Sequence, residues 1–199
     1  GKSENLLGLV LNEEAWMTFC KNYVEEALAP YKGDPNVLGF FSDNEINFSS
    51  NSSRILDRFL AISNSSDPAY VAAKAFMDSK GTQSVTDDLN NEFAGIVAEK
   101  YYKAVKEAVK KVDDKLLYLG TRLHGTPKYM EGVVRAAGKY CDVISINYYS
   151  RWSPELTTAI ADWANWADKP FLVSEFYTKG VEDSDLNNQS GAGYSVPTQ

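Results

Sequence analysis

Short apolar runs alternate with amphipathic helical stretches along this chain, and that alternation limits the fold more than any other feature. Residues 37–42, 115–121, 142–149 and 171–176 read as strands. Their nearly continuous apolarity suits strands buried on both faces rather than on one. Between them lie helical patterns. Trp16, Phe19, Cys20, Tyr23, Val24 and Ala27 share one face of a helix over 13–31, with Asn12 as its cap and Glu13 and Glu14 in its first turn. Phe93, Ile96, Val97, Tyr101, Val105, Ala108 and Val112 mark a long helix over 87–112. Thr126-Pro127 opens another that runs to about residue 140, and Ser153-Pro154 opens the next, with Leu156, Ile160, Trp163 and Ala167 on its buried face. Residues 46–85 are rich in Ser and Asn and predict an excursion of loop and short helices. Strand, helix, strand, helix in strict order requires crossover connections and a parallel α/β sheet.

Composition narrows the function. A chain of 199 residues fits a single domain, and no apolar run of about 18 residues is present, so no membrane insertion is expected. Asp and Glu outnumber Lys and Arg by 27 to 20, a net charge of −7, which argues against nucleic acid as a partner. Two cysteines and one histidine leave little for a disulfide framework or a metal centre. Cys20 and Cys141 fall in amphipathic patterns and are expected to be buried thiols. No glycine-rich phosphate loop follows any strand, and no cofactor is implied.

All four strands finish in polar and ionisable residues: Ser42-Asp43-Asn44-Glu45, Thr121-Arg122-Leu123-His124, Ser145-Ile146-Asn147-Tyr148-Tyr149 and Ser174-Glu175-Phe176-Tyr177. Parallel α/β folds build active sites at that edge. Glu45 and Glu175 stand at the ends of buried strands, where a charge is costly unless it has a partner or a task. Two glutamates facing one pocket can cleave a glycosidic bond, one as proton donor and the other as nucleophile or base. Either could equally be one half of a structural ion pair. Strict alternation would place Asp43 and Phe41 on the face of Glu45, and Val173 and Phe171 on the face of Glu175. It would turn Ser145, Asn147 and Tyr149 to the same side as each other, and Ile144 and Ile146 to the helices.

The run Asn36-Val37-Leu38-Gly39-Phe40-Phe41-Ser42-Asp43-Asn44-Glu45 resembles the fourth strand of clan A glycoside hydrolases, which fold as (β/α)₈ barrels. Phe171–Phe176 resembles their seventh strand and residues 142–149 their sixth. The Phe-Ser-Asp-Asn-Glu string is closest to the agarase and β-galactosidase branch. The resemblance implies a retaining β-glycoside hydrolase acting on a galactose-containing oligo- or polysaccharide, with Glu45 as acid/base and Glu175 as nucleophile. It implies that Tyr149 holds Glu175, that Asn44 meets the sugar 2-hydroxyl, and that Asp43, Arg122, His124, Asn147, Trp152 and Tyr177 line the substrate site. It also implies secretion or a periplasmic location. On this reading the chain is one partial (β/α)₈ TIM-barrel domain of about four parallel strands, corresponding to the fourth to seventh. A barrel needs eight strands and about 250 residues. The chain is therefore expected to be part of a longer enzyme, or to complete its sheet with a second copy, and to be weakly active alone. Two other readings stay open: a carbohydrate-binding protein without turnover, and an open doubly wound α/β domain of unrelated function.

Overall fold

The computed structural model describes residues 2–50, 52–149, 154–180, 190–191 and 193–196. Two helices come first, α1 (Lys2–Leu11) and α2 (Glu13–Leu28). They are followed by β1 (Gly39–Phe40), α3 (Ile55–Leu60), α4 (Pro68–Lys80) and α5 (Asp87–Val112). Then come β2 (Leu117–Tyr118), α6 (Glu131–Tyr140), β3 (Ile144–Asn147), α7 (Pro154–Ala167) and β4 (Phe171–Glu175). A small parallel pair, β5 (Thr178–Gly180) and β6 (Tyr194–Val196), completes the order. Neither this pair nor α1 is evident in the sequence pattern.

The local reasons for the helices are visible at their ends. The Asn12 side chain accepts from Ala15 N at 3.3 Å, and Thr86 Oγ1 accepts from Leu89 N at 3.2 Å. Each satisfies a donor that has no partner within its helix. Asp67 and Pro68 start α4, and Gly81, in the left-handed region at φ 65°, ends it. The helix expected to begin at Thr126 starts instead as a 3₁₀ turn over Thr126–Tyr129, and α6 follows after an extended Met130.

β1 pairs parallel with β2, and β3 parallel with β4. Backbone hydrogen bonds carry the two pairs into one array. Leu123 bridges Ile146, Asn147 N donates to Leu123 O at 2.9 Å, and Asp142 N donates to Tyr118 O at 2.9 Å. The strands thus lie side by side in chain order. That order has no reversal point of the kind that defines a doubly wound sheet. The helices follow the same sequence, with α2 against α5, α5 against α6, and α6 against α7, so they form one layer. The result is a mixed α/β fold with short parallel strands, and among the described residues the sheet does not close.

α5 is the central packing element. Its predicted stripe is buried except for Ile96, which is 39% exposed. Tyr101 and Tyr102 are fully buried and reach the sheet, Tyr102 through a 2.9 Å contact between its hydroxyl and Thr121 Oγ1. Residues 46–85 pack more closely than their polarity predicts. Ile46, Phe48, Ile55, Leu56 and Phe59 enter the core, and Ser49 and Asn90 are buried together, accepting from Ile55 N and Leu56 N. The expected face of α2 is only half covered. Trp16 and Cys20 are buried, but Phe19 and Tyr23 are exposed beside a groove of about 490 Å³ lined also by Phe40 and Phe41. Both cysteines are buried free thiols, and burial pushes Cys20 up to about 12 and Cys141 higher.

Where α5 crosses α6, Gly95 and Gly132 meet. A Cβ on Gly132 would lie 2.5 Å from Asn91 O, which is backbone and cannot yield. Gly132→Ala is therefore expected to destabilise the fold by about 1–3 kcal/mol through overpacking, read as a lower urea midpoint at unchanged slope.

Candidate active site

The sheet delivers Glu45, Arg122, Asn147 and Glu175 to one edge, at the carboxyl ends of its strands. Two of these residues are bent there. Glu45 has φ 57° and Arg122 φ 47°, both left-handed and neither glycine. That conformation costs about 1–2 kcal/mol for a residue with a Cβ. Neighbouring strands hold it in place. Glu45 N donates to Thr121 O at 3.0 Å, and Arg122 N donates to Ser145 Oγ at 2.9 Å. Backbone strain maintained by the surrounding fold is a recurrent property of functional sites.

Glu175 sits among donors. The Tyr149 hydroxyl donates to its Oε2, and Arg122 Nη1 lies 2.9 Å from its Oε1. The Tyr149 hydroxyl, and after it Arg122, Asn147 and His124, hold the Glu175 carboxyl below the usual carboxylate range, against the opposing effect of burial. The same hydrogen bond raises the Tyr149 phenol to about 12, so it remains a donor at neutral pH. Glu45 has different company. Asn147 Nδ2 donates to its Oε1 at 2.8 Å, and His124 Nδ1 stands 3.9 Å away. Asn147 Nδ2 also reaches Asn44 Oδ1 at 3.2 Å. One buried amide therefore contacts Glu45 and contributes to the environment of Glu175, which brings the two carboxylates to a single cleft.

Several expectations change. Asp43 does not share the face of Glu45. Its Oδ2 accepts from the Tyr101 hydroxyl at 2.6 Å, and its surroundings between α2 and α5 push its carboxyl up while that hydrogen bond opposes the rise. The positive φ at Glu45 breaks the alternation that would have aligned them. Alternation also fails in β4. Phe171 packs on Trp163 of α7, with ring centroids 5.9 Å apart, and so faces the helices. The ladder pairs Ile146 with Val173 but Asn147 with Glu175, and this extra residue turns Glu175 back to the cleft. Asn147 is fully buried with protein partners for its side-chain atoms, so it supports the cleft rather than lining it for substrate. Arg122 is committed to Glu175, with its guanidinium also over the Phe41 ring at 5.5 Å. His124 packs edge-on against Tyr149 at 5.6 Å, and Tyr177 does so at 6.0 Å. Trp152 lies outside the described residues.

Sequence reasoning missed Lys128. It is only 6% exposed, its Nζ donates to Asn147 O at 3.3 Å, and it lies over the rings of Tyr129 and Tyr148. Burial lowers its amine while Glu45 opposes that effect. Nothing in the sequence around Thr126-Pro127-Lys128 distinguishes it from a surface lysine. Among the described residues, no group of three His, Cys, Asp or Glu could hold a metal, and no helix is long and apolar enough to cross a membrane.

Comparison with solved structures points the same way as the strand-end motifs. The chain is similar to solved glycoside hydrolases. BpGH50 is 57% identical, with a TM-score of 0.85 over 95% of this chain and 42% of that one. The agarase AgWH50C is 26% identical, with a TM-score of 0.63 over 86% of this chain and 26% of that one. An exo-beta-agarase is 25% identical, with a TM-score of 0.61 over 84% and 26%. The chain thus spans less than half the length of each of these structures. No protein-family model and no curated protein matches it.

Removing the Tyr149 hydroxyl deletes the largest influence favouring ionised Glu175. Tyr149→Phe is expected to move the Glu175 titration upward, toward the ordinary carboxylate value, in ¹³C carboxyl NMR. The Arg122–Glu175 pair should favour the fold above the unfolded carboxylate value of about 4.3 and lose its effect as pH falls through the lowered folded value.

Proposed function

We propose that this chain carries the catalytic pair of a retaining β-glycoside hydrolase that acts on a galactose-containing polysaccharide outside the cell or in the periplasm. The observation that carries the reading is the unequal treatment of two carboxylates in one cleft. Glu175 has a cation and a phenol on its oxygens, which suits a nucleophile that must stay ionised. Glu45 has an amide on Oε1, a partly exposed histidine 3.9 Å away and the charge of the buried Lys128 acting on it, but no guanidinium or phenol on its oxygens, which suits the acid/base role. Environments that differ in this way assign roles to otherwise identical groups. The likeness to BpGH50 and to two agarases supports the substrate class.

In the proposed reaction, Glu175 attacks the anomeric carbon as Glu45 protonates the departing oxygen. The resulting glycosyl ester is then cleaved by a water that Glu45 deprotonates. Tyr149 and Arg122 position Glu175 through the contacts described above. Asn44, His124 and Tyr177 lie around the cleft as substrate contacts.

The fold belongs to the same proposal. Four parallel strands in chain order, backed by one helical layer, fit four consecutive strands of a (β/α)₈ barrel. Both flanks carry exposed apolar side chains: Leu38 and Phe41 beside β1, Leu172 and Phe176 at β4. Further strands covering those flanks would bury them. The limited share of BpGH50 that the chain spans supports strands supplied by a longer polypeptide.

Three measurements test the reading. Glu175→Gln should reduce aryl-β-galactoside hydrolysis by more than about 10³-fold, and a 2-fluoro glycoside should label Glu175 and no other residue, as read by peptide mass spectrometry. Glu45→Ala should slow substrates with poor leaving groups by about 10²–10⁴-fold and spare activated ones. Saturable sugar binding with neither turnover nor labelling would instead establish a carbohydrate-binding protein.

A further inference from the structure

β4 contains one residue more than the β3 segment it pairs with. Ile146 is opposite Val173 and Asn147 opposite Glu175, which leaves Ser174 without a ladder partner. Bulges of this kind re-aim side chains next to active sites. Here the bulge turns Ser174 toward β3, where its Oγ lies 2.9 Å from Asn147 Oδ1 and 3.3 Å from Ile146 O. Because Glu175 follows directly, one backbone irregularity aims both the serine and the carboxylate at the cleft.

The consequence is carried by Asn147. Its side chain has two donor hydrogens and one acceptor oxygen. Nδ2 faces Glu45, whose Oε1 accepts from it. That leaves Oδ1 facing Ser174, whose hydroxyl donates. The donors then go to Glu45 Oε1 at 2.8 Å and Asn44 Oδ1 at 3.2 Å. A flipped amide would set a carbonyl oxygen against a carboxylate. Asn147 is fully buried, so substrate cannot compete for these bonds. We infer that Ser174 and Asn147 form a positioning pair that sets the orientation of Glu45 relative to Glu175, linking the strand of one carboxylate to the other. The inference rests on the proposed roles of the two glutamates. It adds that their alignment is controlled by a serine that touches neither reacting group.

The pair predicts results that a simple packing role would not. Glu175 faces Arg122, His124, Tyr149 and Asn147, with Glu45 across the cleft. Ser174→Ala frees Asn147 to turn, so the Glu175 carboxyl titration should move upward in ¹³C NMR, and the Asn147 side-chain amide should lose its protection from hydrogen exchange. Ser174→Thr, which keeps the hydroxyl on a β-branched strand residue, should restore both. In turnover, Ser174→Ala should lower kcat roughly 10- to 100-fold with little change in KM, and more for poor leaving groups than for activated ones. An unchanged Glu175 titration together with an unchanged Asn147 amide in Ser174→Ala would overturn the inference, whether or not the chain turns over substrate. Failure of the fluoro glycoside to label Glu175 would instead count against the catalytic reading, so the two failures are separable.

Discussion

Parallel pairing governs this molecule. When strands run the same way, their carboxyl ends gather at one edge, and residues placed at strand ends become neighbours across whole crossover connections. Asn147 and Glu45 are separated by 102 positions and meet at 2.8 Å. The register is fixed through backbone hydrogen bonds that link β1, β2, β3 and β4 in turn, and through α5, whose buried tyrosines grip the ends of the first two strands. A slip of one residue would reverse the facing of each strand and disperse the cleft.

Within that frame, electrostatics separates two chemically identical side chains. Glu175 is ringed by donors that reward its charge, whereas Glu45 meets a neutral amide and the edge of the solvent. The chain is net acidic, so the single guanidinium on Glu175 is a local arrangement and not the product of a basic surface.

What the sequence revealed, and what it did not, follows from range. The strands, the main helices and the strand-end glutamates were legible because apolar periodicity and caps are local signals. Tyr149 on Glu175 was legible through alternation and resemblance together. The facing of Asp43 and Phe171 was not. It depends on a left-handed Glu45 and on the extra residue in β4, and both are imposed by neighbouring strands. Lys128 escaped notice because its burial comes from Tyr129, Tyr148 and a strand it does not adjoin in sequence. Residues 46–85 looked loose because their polar composition hid a few apolar anchors and the buried Ser49–Asn90 pair.

The left-handed backbone at Glu45 and Arg122 has a further implication. At both positions the main chain would be most relaxed with glycine, while the proposed chemistry needs a carboxylate at one and a guanidinium at the other. Stability and chemistry therefore make opposing demands on the same two residues. Sequence drift toward a more robust fold at either position would erase the site, so any gain in robustness compatible with the site must come from other positions.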